Sequence, residues 1–148
     1  MKSKLSALVA TAFLTACSTV PQHNEQAKAL LDEGIALYQK QDYQHAKPYF
    51  EQAQQAWHMK APRYLGLMYL NGEGVAKNAK TAFAYFMQAA EAGDITGQYW
   101  LGHCYENGIG TAKDMTKAVH WYQESAKRGD HISQPAIDAL NRLGIEKN

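Results

Sequence analysis

A stretch of this chain returns after 36 residues, and that recurrence restricts the fold more than any other feature. Tyr64-Leu65-Gly66-Leu67-Met68-Tyr69-Leu70-Asn71-Gly72-Glu73-Gly74 aligns with Trp100-Leu101-Gly102-His103-Cys104-Tyr105-Glu106-Asn107-Gly108-Ile109-Gly110. The same offset pairs Ala82 with Ala118, Ala90 with Ala126, Gly93 with Gly129 and Asp94 with Asp130. A fixed period of about 20 to 50 residues marks a stacked array in which each unit packs on its neighbours. Such an array offers an extended surface, which points to binding before catalysis.

The residues inside the period read as helix pairs. Leu65 with Tyr69, and Leu101 with Tyr105, recur at i and i+4, the spacing of a core-facing helical stripe. Gly66 and Gly102 cost about 1 kcal/mol each in helix propensity, and their missing side chains let a neighbouring helix come close. Gly72, Gly74, Gly108 and Gly110 suit a loop that needs positive φ. Asn78 and Asp114 are placed to cap second helices. Ala82, Phe86, Ala89 and Ala90 then form one inward face, and Ala118, Trp121, Tyr122 and Ala126 the next. Gly93 and Gly129 end these helices. Ser133 to Leu140 aligns with Gly97 to Cys104 as a half unit, with Ile137, Leu140 and Leu143 inward and Asp138, Asn141 and Arg142 outward, which suits the polar end cap that solenoids require.

Glu33-Gly34-Ile35-Ala36-Leu37-Tyr38, Asp42-Tyr43, Ala46, Tyr49-Phe50 and Ala53 resemble a tetratricopeptide repeat. Pro48 departs from that pattern. Proline is tolerated in a first helical turn, so the second helix is expected to start near Tyr43 to Ala46. The two later units are similar to Sel1-like repeats in their Leu-Gly pair, the Tyr-x-x-Gly-x-Gly segment, the Ala-Ala pair and the terminal Gly-Asp. Thr111 in place of Val75 and Ser125 in place of Ala89 are mild departures. The resemblance covers Gln26 to Asp130. It implies an all-α fold, a short α-solenoid of stacked antiparallel helix pairs in a right-handed superhelix. The units expected are a tetratricopeptide-like repeat over 26–60, Sel1-like repeats over 61–95 and 96–130, and a C-terminal capping helix over 131–148.

The first residues read as an address. Lys2 and Lys4 precede an apolar run from Leu5 to Ala16, too short for the roughly 20 residues that span a bilayer. This is the form of a signal peptide over 1–16. Leu14-Thr15-Ala16-Cys17 resembles a bacterial lipobox. The resemblance implies cleavage before Cys17 and acylation there, palmitate among the chains, while ordinary secretory cleavage after Ala16 is the alternative. A single acyl chain anchors marginally and two or more hold firmly. Ser18 stands where Gram-negative lipoproteins retained in the inner membrane commonly carry Asp, which implies the outer membrane, periplasmic face. Residues 17–25, with Pro21 and Asn24, are expected to be a lipidated N-terminus and polar tether.

The chain without its leader is long enough for one modest domain. Its formal charge of +1 falls by two when Lys2 and Lys4 leave, and with no basic stripe nucleic acid is not an expected partner. With Cys17 acylated, Cys104 is the one remaining thiol. It aligns with Met68, an apolar helical position, and reads as a small buried hydrophobe, with a reactive or intermolecular thiol as the alternative.

In the tetratricopeptide family first helices line a concave groove that receives a peptide. Aligned onto this chain, the groove positions are Lys28, Leu31, Ile35, Tyr38 and Gln39; Lys60, Arg63, Leu67, Leu70 and Asn71; and Thr96, Tyr99, His103, Glu106 and Asn107. The recognition candidates among them are Tyr38, Arg63, Asn71, Tyr99, His103, Glu106 and Asn107: aromatic area, a planar cation and amide groups of the kind found at interface anchors. Asn71 and Asn107 have a competing role as helix C-caps next to glycine. No catalytic, cofactor or metal site is expected. The pair His120 and Glu124 reads as a solvated helix face, and His103 and Cys104 are adjacent and so point in different directions. No HExxH, GxSxG or phosphate loop is present. The reading is a membrane-anchored module for a protein or peptide of the cell envelope. An envelope hydrolase of β-lactam or cell-wall substrates is one alternative, raised by cysteine-rich Sel1-like proteins whose regular cysteine pairs this chain lacks. An inhibitor or immunity-type lipoprotein for one partner is the other.

Overall fold

The structure is a computed structural model that describes the backbone of residues 19–145 and the side chains of residues 25–145. Residues 1–18, with the expected leader and Cys17, lie outside the described residues. Seven helices follow one another: α1 (Thr19–Gln39), α2 (Tyr43–Gln55), α3 (Ala61–Asn71), α4 (Ala79–Glu91), α5 (Ile95–Asn107), α6 (Met115–Ala126) and α7 (Gln134–Arg142). There is no strand among the described residues. Every substantial contact is between helices consecutive in the chain, as a one-dimensional stack requires.

The period sets the core. Ala46, Ala82 and Ala118 are buried at one level of α2, α4 and α6, and Phe50, Phe86 and Tyr122 at the next. These aromatics face the glycines of the preceding first helices. A Cβ on Gly34, Gly66 or Gly102 would lie 2.7, 2.6 or 2.8 Å from the ring of Phe50, Phe86 or Tyr122. Three apolar clusters result: one joins α1, α2 and α3, one centres on α4 and α5, and one on α6 and α7. Each therefore bridges a second helix to the first helix of the next unit. In the last cluster Ala136 and Leu140 are buried, while Ile137 and Leu143 are half-buried. Ser125 replaces an alanine of the preceding unit without penalty, because its hydroxyl donates to the Ile95 carbonyl at 2.8 Å.

The ends of the helices follow the side-chain chemistry. Asn78 and Asp114 cap α4 and α6, accepting from the amides of Thr81 and Lys117 at 3.0 Å each. Gly72 and Gly108, with φ of 76° and 69°, cap α3 and α5. Asn71 and Asn107 are the last helical residues, so the C-cap role considered for them falls to these glycines.

Three expectations change. The stretch from Thr19 to Glu25, read as tether, is helical backbone. Its Pro21 sits in the first turn, where a missing amide proton is not felt. Pro48 lies in the second turn of α2, not the first, because the helix starts at Tyr43. Leu31, assigned to the groove, is 3% exposed and packs with Leu65 and Phe50 in the first cluster.

Cys104 is fully buried, and burial pushes its thiol up to about 12. The thiolate is the reactive form, so a chromogenic disulfide reagent is expected to leave native protein unmodified and to label Cys104 only after denaturation. Rapid native labelling would contradict this packing.

Candidate functional site

The face built by α1, α3 and α5 is ordered in rows, because the helix stacking repeats with the sequence. One row runs Ile35, Leu67, His103. A second runs Tyr38, Leu70, Glu106 and continues to Arg142 of α7. A third runs Gln39, Asn71, Asn107, all exposed. Its members are primary amides at the ends of α1, α3 and α5, each able to donate and accept.

The structure divides the recognition candidates into two groups. Tyr38, Arg63 and Glu106 are engaged between units. The Tyr38 hydroxyl donates to Glu73, on the loop after α3, and burial and that carboxylate raise its pKa. Arg63 Nε donates to Asp94 Oδ2 at 2.8 Å. The same oxygen accepts the Gly97 amide at 3.0 Å and caps α5. Arg63 also lies over the Tyr64 ring, 4.6 Å from its centroid. The pair is nearly enclosed, with side-chain exposures of 14% and 5%. Glu106 takes both guanidinium nitrogens of Arg142 at 2.7 and 2.9 Å and the Tyr122 hydroxyl at 2.7 Å. These contacts join α1 to the second unit, the second unit to the third, and the third to the cap.

Asn71, Tyr99, His103 and Asn107 form the other group. Tyr99 stacks on His103, with ring centroids 6.1 Å apart, and meets Trp100 edge-on at 5.5 Å. The Asn107 amide donates to the His103 carbonyl at 3.0 Å, which leaves its own carbonyl oxygen directed away from that bond. Burial lowers the His103 pKa, which favours its neutral imidazole. Asn71 is exposed and carries no side-chain bond among the described residues.

Arg142 holds the Glu106 carboxyl below its ordinary value of 4.5. A depressed folded-state pKa contributes stability that is present above the unfolded value and lost as pH falls through the folded one. Wild type is therefore expected to exceed Glu106→Gln in melting temperature at pH 7, with the gap closing below about pH 4. A gap independent of pH would remove the ion pair from the account.

Sequence reasoning did not find the partners Asp94 and Arg142, which lie 31 and 36 residues from theirs. It also passed over Trp57, although the 36-residue offset places it with Gly93 and Gly129. Among the described residues no group of three His, Cys, Asp or Glu side chains is placed to hold a metal ion, and no helix is long and apolar enough to cross a membrane.

Rows of side chains on stacked helix pairs define a solenoid scaffold, a class suited to protein–protein interaction. The family model of the Sel1 repeat matches residues 27–53, 61–94 and 95–130, and the chain belongs to the Sel1 repeat family. The first unit, tetratricopeptide-like by its residues, is thus matched as well. A Sel1 repeat protein from Oxalobacter formigenes is similar in structure, with a TM-score of 0.68 and 33% identity over 80% of this chain and 49% of that one. So is a protective antigen of uropathogenic Escherichia coli strains displaying an SLR fold, with a TM-score of 0.68 and 25% identity over 86% of this chain and 28% of that one. The chain spans about half the length of the first protein and less of the second. Helicobacter pylori cysteine rich protein B shares the fold, with a TM-score of 0.63 and 21% identity over 79% of this chain and 96% of that one. A sequence comparison with curated proteins gives no match.

Proposed function

We propose that the protein is a lipid-anchored interaction module of the periplasm, held at the outer membrane by acylated Cys17. It takes an extended or helical segment of an envelope protein along the face of α1, α3 and α5. The observation that carries this reading is the exposed amide row Gln39, Asn71 and Asn107 beside the half-buried Ile35, Leu67 and His103. An extended peptide presents backbone donors and acceptors in series, which primary amides complement, while its side chains need apolar area next to them. Tyr38, Arg63 and Glu106 serve by fixing the angles between units and thus the spacing of the rows. The lipobox residues Leu14 to Cys17 support the anchor.

The test is capture of envelope proteins by wild type and by Asn71→Ala/His103→Ala/Asn107→Ala, with equal melting temperatures as the control for folding. The partner is expected to be lost from the variant. A partner retained in full by a folded variant would refute the groove. The mass of the N-terminal peptide decides acylation separately.

A further inference from the structure

Trp57 breaks the repeat at a position where the backbone makes glycine the natural residue. After α4, the amides of Gly93 and Asp94 return to Ala90 and Ala89 at 3.0 and 2.9 Å, and Gly93 has φ of 88°. After α2, the amides of Trp57 and His58 return to Gln54 and Ala53 at 2.9 Å each, and Trp57 has φ of 60°. The closing motif is the same, with a left-handed residue that is usually glycine. Trp57 adopts that conformation against its Cβ and yet is 89% exposed. A strained, solvent-facing indole contributes nothing visible to packing, and such strain collects at functional positions.

Trp57 has company. Among the described residues four large apolar side chains are exposed: Trp57, Met59, Met115 and Ile132. Three of them lie on the edge formed by the α2–α3, α4–α5 and α6–α7 connections. Two adjoining depressions run along that edge. Trp57 and Pro62 line one, Ile95 and Ile132 line the other, and Met59 lines both. Lys60 and Arg128 stand at the rim of the second.

The same edge is where the chain leaves the solenoid toward its N-terminus. Helix α1 runs antiparallel to α2 across the short turn at Lys40 to Asp42, so its start lies at the end where α2 finishes. With 21 residues against 13, α1 extends about 12 Å past α2 at 1.5 Å per residue. Only Ser18 separates its first residue from Cys17.

We propose that this edge rests on the lipid surface, with Trp57 and Met59 in the headgroup layer. The inference depends on the reading of Cys17 as an acylated anchor. An inclined α1 brings the edge down to the bilayer that holds Cys17. Trp is favoured at that depth because its ring is apolar and its N–H is polar, and Lys60 extends its charged end to headgroup phosphates, while Arg128 is paired with Asp130. The edge with Gly74, Gly110 and Met115 then faces away from the membrane, and the rows of α1, α3 and α5 stand beside the bilayer, open to a partner.

The experiment places the full-length protein, made in a Gram-negative host, on vesicles of phosphatidylethanolamine and phosphatidylglycerol with brominated acyl chains. Trp100 and Trp121 are half-buried and supply the background. Quenching of wild-type fluorescence, largely lost in Trp57→Phe, is the expected result. Equal quenching in both, or none in either, overturns the proposal, and a partner protein crosslinked at Trp57 with no quenching assigns the edge to protein instead. Should the N-terminal peptide prove unacylated, the same measurement on protein held by an N-terminal histidine tag to nickel-bearing lipid tests the edge apart from the anchor. Trp57→Gly is expected to raise the melting temperature while abolishing the quenching. A lower melting temperature would make Trp57 a structural residue.

Discussion

Gly110→Ala is expected to destabilise the protein by about 3 kcal/mol or more. Two effects combine there. Gly110 has φ of 69°, and an added Cβ would lie 2.1 Å from the Ala79 carbonyl oxygen. Neither the α4 start nor the Gly110 loop can move without parting the second and third units. Gly93→Ala is the internal control: its φ is 88°, but nothing lies within 4 Å of the added carbon. It is expected to cost only the left-handed strain, about 1 kcal/mol. Denaturant unfolding of the two variants separates conformational strain from steric exclusion. Against a total stability of about 5 to 15 kcal/mol for a domain of ordinary size, the first change removes a large share. Equal losses for the two variants would show that the units do not stack through this contact.

Arg63→Ala is expected to cost about 2 to 3 kcal/mol, because it leaves the Asp94 carboxylate enclosed with one amide partner. Arg142→Ala is expected to cost less than Arg63→Ala, since Arg142 is the exposed member of its pair. The double variant Arg63→Met/Asp94→Asn removes both charges yet keeps a side-chain oxygen to cap α5. It should recover much of the loss, and a double-variant cycle reads the coupling. If Arg63→Ala melts like wild type but loses a partner, Arg63 is a contact residue and its bond to Asp94 is incidental.

These two residues show what a sequence reveals in a repeat protein. The glycines, the caps Asn78 and Asp114 and the buried alanines were legible because each answers to local backbone geometry or to the helical period. Gly110 was legible as a positive-φ position, while its approach to Ala79 was not, since the distance between units is a property of stacking. Arg63 reads as a groove residue from its register on α3. Only the placement of Asp94 at the next cap turns it inward. Glu106 is likewise engaged by Arg142 of the cap. Pro48 is accommodated because the buried Ala46, Phe50 and Ala53 hold α2 around it, which its own residue type does not reveal. Trp57 was visible in the alignment with Gly93 and Gly129, but its meaning depends on a backbone angle and an exposure that alignment does not contain.

The proposed function requires that the amide row receive a protein partner. In-cell photo-crosslinking from Asn107, with exposed Gln123 of α6 as the control, tests it most directly. A discrete adduct from Asn107 and none from Gln123 is the predicted result. Adducts from Gln123 alone, or from neither position, would contradict the account.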